Sequence, residues 1–272
     1  MNRRKRSPIK VSFTSLSTIM LLSFLFALAG FIDSIAGGGG LVSLTSLYAV
    51  GMPAVNAVST NKFSMTFGTL FATANYAREK KIIWRIALSS VPFALIGSSI
   101  GAQLALRYAD TILRYMLLIV LPVLTVLTLR KKGERKSSMI TEKPGLSGFC
   151  ITAPAYIISA AASLVIGVYD GFFGPGTGTF YTILFSFMGL PLIFSAGTTK
   201  VLNLASNIAA FVTFIVNGTI IFTVGIPCAV SSVIGNLIGS WYAIKKEGKA
   251  IRKILIVVIA LLYVRILSSF FM

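Results

Sequence analysis

The sequence predicts an all-α polytopic membrane protein. It reads as two homologous repeats of about five helical segments each, inverted relative to one another, each with a glycine-broken half-helix. Three observations lead there. Hydrophobic residues make up 56% of the 272-residue chain and charged residues 12%, against about 25% charged in a typical soluble domain. With a mean hydropathy of +0.87, the chain lacks the polar side chains to cover a water-facing surface. Its apolar residues fall into long runs, and the landmarks of the first half recur in the second.

The first run, Leu16–Leu28, follows a basic start and ends in Ala27-Leu28-Ala29, the pattern of a signal peptide. A counterpart in mid-chain, where no signal peptide can sit, makes it a retained helix. Then come 41–50, 54–76, 82–106 and 112–129, followed by a polar stretch, and then 149–169, 180–188, 194–216, 220–244 and 251–271. A helix crossing ~30 Å of hydrocarbon needs ~20 residues. The runs 41–50 and 180–188 reach only about half that, with helices starting near Leu41 and Phe180. The polar stretch divides the chain into a first repeat, 1–130, a basic connection, 131–148, and a second repeat, 149–272.

The duplication is read directly. Gly-Phe-Ile-Asp-Ser-Ile-Ala-Gly-Gly-Gly-Gly at 30–40 aligns with Gly-Val-Tyr-Asp-Gly-Phe-Phe-Gly-Pro-Gly-Thr at 167–177. One residue is then gained. Gly51-Met52-Pro53 matches Gly189-Leu190-Pro191, Thr60-Asn61-Lys62 matches Thr198-Thr199-Lys200, and Gly97 and Gly101 match Gly235 and Gly239. Five segments per copy invert the second copy, a common transporter architecture. Eight segments in all would instead make the copies parallel. The sequence favours ten, although ten place the basic amino terminus outside, against the positive-inside rule.

The net charge of +18 then reads as topology. Basic clusters at 3–10, 78–81, 130–143 and 245–253 sit between apolar runs, where they set orientation and meet anionic headgroups. The lipid bilayer is an expected partner. Nucleic acid is not, since no basic face is broad enough for a duplex. Histidine is absent, which excludes imidazole relays, zinc–histidine sites and Ser–His–Asp catalysis. Cys150 and Cys228 have no companion soft ligands and read as small hydrophobes. No metal, cofactor or enzymatic activity is expected, and the chain lacks the phosphate loop that would drive pumping by ATP.

Of the seven acidic residues, only Asp33 and Asp170 lie inside apolar segments, and they are repeat partners. Among the lysines the same holds for Lys62 and Lys200. A charge at bilayer depth costs at least ~2.5–3.5 kcal/mol, so two matched pairs mark a site. The glycine clusters Gly37, Gly38, Gly39, Gly40 and Gly174, Gly176, Thr177, Gly178 interrupt the helices near the midplane. Helix amino termini there present free N–H groups and partial positive charge. Together with Lys62 and Lys200 they spell an anion site, with Thr60, Asn61, Thr198, Thr199 and Asn203 as neutral donors. Asp33 and Asp170 either carry a coupling proton or hold the lysines as structural pairs. Gly97, Gly101, Gly235 and Gly239 read as helix-packing contacts. Tyr76, Tyr169, Tyr181, Trp84 and Trp241 read mostly as interfacial anchors. Asn203 and Asn207, four apart, share a helix face.

At these residues the chain resembles the sulfite exporter TauE/SafE family of bacterial membrane transporters. The matching elements are the 30–40 segment, Gly51-Met52-Pro53 with Ala57, Thr60-Asn61-Lys62, and Tyr169 to Gly176. The resemblance covers about residues 20–270. It implies a multi-pass carrier in the bacterial inner (plasma) membrane, with a small anionic solute as partner: sulfite, a sulfonate or another organic sulfur acid. The expected function is secondary transport through a midplane site, with an anion channel on the same scaffold as the alternative. Homo-oligomer formation stays open.

Overall fold

Inside a bilayer no water is available to the backbone, so a chain this apolar must satisfy its N–H and C=O groups within helices. The structure, a computed structural model, describes residues 14–129, 139–142 and 149–246. Its helices are α1 (Leu16–Ala36), α2 (Gly39–Ala49), α3 (Ala54–Arg78), α4 (Trp84–Leu129), α5 (Ala153–Phe172), α6 (Thr177–Phe187), α7 (Leu192–Val216) and α8 (Phe222–Lys245). A short antiparallel ribbon, β1 (Ile140–Glu142) with β2 (Phe149–Ile151), pairs Ile140 with Ile151. Five helical stretches are long and apolar enough to cross a membrane, in α1, α4, α5, α7 and α8. α3 is as long as α7 but more polar, because Asn56, Ser64, Thr66, Thr73 and Arg78 stand where α7 has Phe194, Leu202, Leu204, Phe211 and Val216.

The helix boundaries follow the duplication. α2 starts at 39 and α6 at 177, 138 residues later, and α3 and α7 keep that shift at both ends. Two expectations change. The segments 82–106 and 112–129 form one continuous helix, α4; no Gly or Pro falls between Gly101 and Pro122, and the charges at Arg107 and Asp110 do not stop a helix. The run 251–271 lies outside the described residues.

The half-helices also begin earlier than expected, at Gly39 and Thr177 rather than near Leu41 and Phe180. The break itself is short. Gly37 takes φ 78°, and its N–H caps α1 on the Asp33 carbonyl at 2.8 Å. Gly39 and Gly40 are already helical, kept small by packing: a β-carbon on Gly39 would lie 2.0 Å from the Ala29 carbonyl oxygen. α2 therefore folds back along α1, and Leu44 and Leu47 join Leu22 and Phe26 in one apolar cluster. α6 returns beside α5 in the same way, with the Tyr181 hydroxyl donating to the Ser163 carbonyl at 3.3 Å.

Contacts fix the helix directions. Gly235 meets Ala27 and Gly239 meets Phe31, so α8 runs parallel to α1. Ser64 bonds Gly225 and Asn75 bonds Ser240, so α3 is parallel to α8. Gly97 meets Leu164, Gly101 meets Val168, and Ser98 bonds Ser206, which aligns α4 with α5 and α7. Lys62 reaches Asn207 whereas Thr73 reaches the Lys200 carbonyl, so α3 and α7 run opposite ways. The result is two parallel triplets, α1, α3, α8 and α4, α5, α7, each mixing helices from both halves of the chain.

The end where α3 and α8 finish carries Arg78, Lys80, Lys81, Arg85, Lys245 and Lys246; at the other end residues 50–53 and 217–221 are uncharged. Trp84 and Trp241 are about half exposed near the basic end, as expected of anchors. Tyr76 and Tyr181 are not anchors: both are fully buried, and the Tyr76 hydroxyl donates to the Ser34 carbonyl at 3.0 Å. Tyr169 turns inward to the Pro175 carbonyl at 2.5 Å. A phenol can leave the interface when a broken helix offers it a free carbonyl.

The seams between parallel helices depend on glycine. A β-carbon at Gly101 would sit 2.0 Å from the Val168 carbonyl oxygen, and one at Gly235 1.9 Å from that of Ala27. Both clashes are with backbone, so no side chain can move aside. Gly101→Val and Gly235→Val should each cost about 1–3 kcal/mol or more. The check is thermal unfolding of the detergent-purified protein; melting at the parent temperature would contradict this packing.

Candidate functional site

Each acidic residue sits at the tip of a broken helix pair. Asp33 lies in the last turn of α1 and Asp170 in the last turn of α5. Each lysine lies two turns into a long helix, Lys62 in α3 and Lys200 in α7. The pairing crosses between the halves of the chain. Lys62 Nζ meets Asp170 Oδ1 at 2.7 Å, and Lys200 Nζ meets Asp33 Oδ2 at 2.6 Å. All four residues are at least nine-tenths buried. Buried charges are tolerable only when paired and hydrogen-bonded, and each is.

The surroundings of the two pairs differ. Lys62 also donates to Asn207 Oδ1 at 2.9 Å. Asp170 accepts from the Thr177 hydroxyl at 2.8 Å and from the Ser206 hydroxyl through a short hydrogen bond. Lys200 instead donates a second time to Asp33, through its main-chain carbonyl at 2.5 Å. That carbonyl belongs to the carboxyl end of α1, where the helix dipole favours a cation.

Between the two tips lies a small cavity of about 30 Å³, room for about two water molecules. Of the residues expected at a site, Asp33, Gly37, Gly40, Asn61, Lys62, Asp170, Gly174, Thr177, Gly178 and Asn203 line it. Gly37 and Gly178 press together so closely that a β-carbon on Gly178 would lie 2.5 Å from the Gly37 α-carbon. Asn61 and Asn203 keep buried carbonyl oxygens with no hydrogen-bond partner. The cavity thus combines an ammonium, two carboxylates, the starts of α2 and α6, and amides with hydrogen-bonding capacity to spare. Of these groups the Lys62 ammonium donates, whereas the two carboxylates and the open amide oxygens of Asn61 and Asn203 accept.

Other expected residues are placed elsewhere. Thr60 accepts the Ile221 N–H at 3.1 Å, and Thr198 accepts the Ile83 N–H at 3.1 Å. They are matched acceptors for the chain leading into α8 and α4, not donors to the cavity. Thr199 faces Thr182 at 3.4 Å. Gly38 and Gly176 cap the amino termini of α2 and α6, and Gly39 packs on α1. Lys200 does not line the cavity.

Sequence reasoning left out Asn207, Met65 and Ser206 as site residues. Asn207 shared a face with Asn203, which was a usable signal. Ser206 carried none, because a serine in a membrane helix ordinarily bonds its own backbone.

The profile of the family described as "Sulfite exporter TauE/SafE" matches residues 22–266. A "Probable membrane transporter protein ORF9" from Sinorhizobium sp is 31% identical over 92% of this chain and 93% of its own. The "Probable membrane transporter protein YfcA" of Escherichia coli is 34% identical, covering 91% of this chain and 88% of its own. A "Probable membrane transporter protein" of Haemophilus influenzae is 32% identical over 88% and 91% of the two chains. No solved structure matches the chain significantly.

The matched threonine contacts can be tested alone. Thr60→Val and Thr198→Val each leave a backbone N–H short of its acceptor, at a cost of about 1–3 kcal/mol. Both should lower the thermal midpoint by similar amounts, and Thr→Ser at either position should restore most of it. Loss of solute flux at an unchanged midpoint would instead put these threonines in the site.

Proposed function

Since the chain belongs to the sulfite exporter TauE/SafE family of membrane transporters, we propose that it is a secondary carrier of small anions. Sulfur oxyanions and organosulfur acids of the sulfite and sulfonate type are the substrate class. The protein is a multi-pass bacterial membrane transporter. The anion binds at the midplane, between two inverted repeats formed by 1–130 and 149–272.

Inversion is supported by the opposite courses of α3 and α7, which occupy equivalent places in the two halves. Depth follows from the same geometry. Lys62 is eight residues into α3 and Lys200 eight residues into α7, about 12 Å from helix starts that lie at opposite ends. In a core about 30 Å thick, that brings both near the middle. The positive-inside rule then puts the basic end of the bundle in the cytoplasm.

One observation carries the reading: the buried Lys62–Asp170 pair sits in a cavity walled by glycines at two helix starts. Ammonium, main-chain N–H groups and amides are what an oxyanion needs in a dry site. The cavity is too small for a sulfonate as it stands, which favours a closed carrier over an open pore. In the bound state the anion takes a carboxylate's place beside Lys62, with Asn61, Asn203 and Thr177 as donors.

Proteoliposomes holding the full chain should take up sulfite, thiosulfate or methanesulfonate, and not ammonium or a neutral sugar. Lys62→Ala should cut that flux at least about tenfold, the worth of a charge-assisted hydrogen bond, in protein that remains monodisperse. Flux equal to the parent's in this variant, or no anion uptake by the parent, would reject the anion-carrier reading.

A further inference from the structure

We infer that the two buried ion pairs divide the work: Lys62–Asp170 opens to exchange Asp170 for the transported anion, while Lys200–Asp33 is a fixed lock between α1 and α7. This rests on the anion-carrier reading above and deepens it.

The division follows from what each charge keeps when its pair parts. Asp170 keeps the Ser206 hydroxyl and a share of the Thr177 hydroxyl, which also reaches the Gly174 carbonyl at 2.6 Å, and Lys62 keeps Asn207. Both ions stay hydrogen-bonded, so opening is tolerable at depth. Among the described residues the Lys200 ammonium donates only to Asp33, side chain and main chain. Parting that pair would strand a buried cation, and losing one partner of a buried pair is strongly destabilising.

The difference is written in the sequence. In the repeat alignment Thr177 corresponds to Gly40, and beyond the added residue Ser206 corresponds to Gly68 and Asn207 to Thr69. The first half therefore lacks the hydroxyls and the amide that cushion Asp170 and Lys62. Lys62 also lines the cavity and Lys200 does not. Asn61 and Asn203, each more than nine-tenths buried with an unpartnered carbonyl oxygen, face the same cavity.

Charge balance sets the rest of the step. When a monoanion becomes the counter-ion of Lys62, the displaced Asp170 carboxylate takes one proton from the aqueous side that admits the anion, so the site stays neutral. The charged and titratable groups around that carboxylate are Lys62 on α3, Tyr169 on its own helix, Tyr181 on α6 and Asp33 across the cavity on α1.

Paired neutralisation tests the division on the full chain in proteoliposomes, with sulfite and methanesulfonate as probes. Asp33→Asn with Lys200→Met removes both charges of the lock, a change that buried pairs often tolerate; Asp33 also lines the cavity, so flux should fall, but several-fold less than in the exchange variant. Lys62→Met with Asp170→Asn should remain folded and lose flux at least about tenfold. A folded lock variant that loses as much flux as the exchange variant overturns the inference while leaving the carrier reading intact, and an active exchange variant overturns both. The parent protein supplies a second measurement that needs no variant. With sulfite present, dicyclohexylcarbodiimide, which attacks protonated carboxyls in apolar surroundings, should label Asp170 in preference to Asp33 by mass spectrometry. Equal or reversed labelling also overturns the inference. Labelling of Asp170 in a protein that carries neither probe would reject the carrier reading and keep the division.

Discussion

A single lysine or aspartate at bilayer depth costs about 2.5–3.5 kcal/mol even on the mildest scales. The described helices bury two of each, and these are tolerable because each ammonium finds a carboxylate from the other half of the chain. That constraint reaches far. It forces the tips of both broken helix pairs to meet at α3 and α7, and it requires the helices around them to pack closely enough to exclude lipid. The glycine seams α1–α8 and α4–α5 provide that closeness, with backbone against backbone.

Much of this was legible in the residues. Asp33, Asp170, Lys62 and Lys200 stood out because charge is rare in apolar runs, and their repeat spacing tied them together before any coordinates. Pairing across the repeats was not legible, since the alignment says which residues are equivalent and not which ones touch. Thr60 and Thr198 misled for a related reason. Their place two residues before the lysines suggested donors, but on a helix residues two apart point about 200° apart, and the two hydroxyls face the chain entering α8 and α4 instead.

The glycine clusters carried two messages that sequence alone could not separate. Gly37, with its positive φ, breaks the helix, whereas Gly39 and Gly178 stay within regular helix and are small because another backbone lies against them. The continuous α4 shows a similar limit: charges at Arg107 and Asp110 suggested a loop, yet only a breaker residue or a missing hydrogen bond ends a helix. The two halves differ chemically at Thr177, Ser206 and Asn207, which bond the Lys62–Asp170 pair and stand as glycine, glycine and threonine at the equivalent places of the first half.

The central claim is that a small oxyanion becomes the counter-ion of Lys62 in the cavity between the helix tips. Selenite, a heavier relative of sulfite, makes this visible by anomalous scattering from crystals of the full chain. The account predicts a selenium peak within hydrogen-bonding reach of Lys62 Nζ, beside Gly174 and Asn203, with Asp170 withdrawn from the ammonium. Selenium bound only at the basic rim, with the Lys62–Asp170 pair still closed, would contradict it.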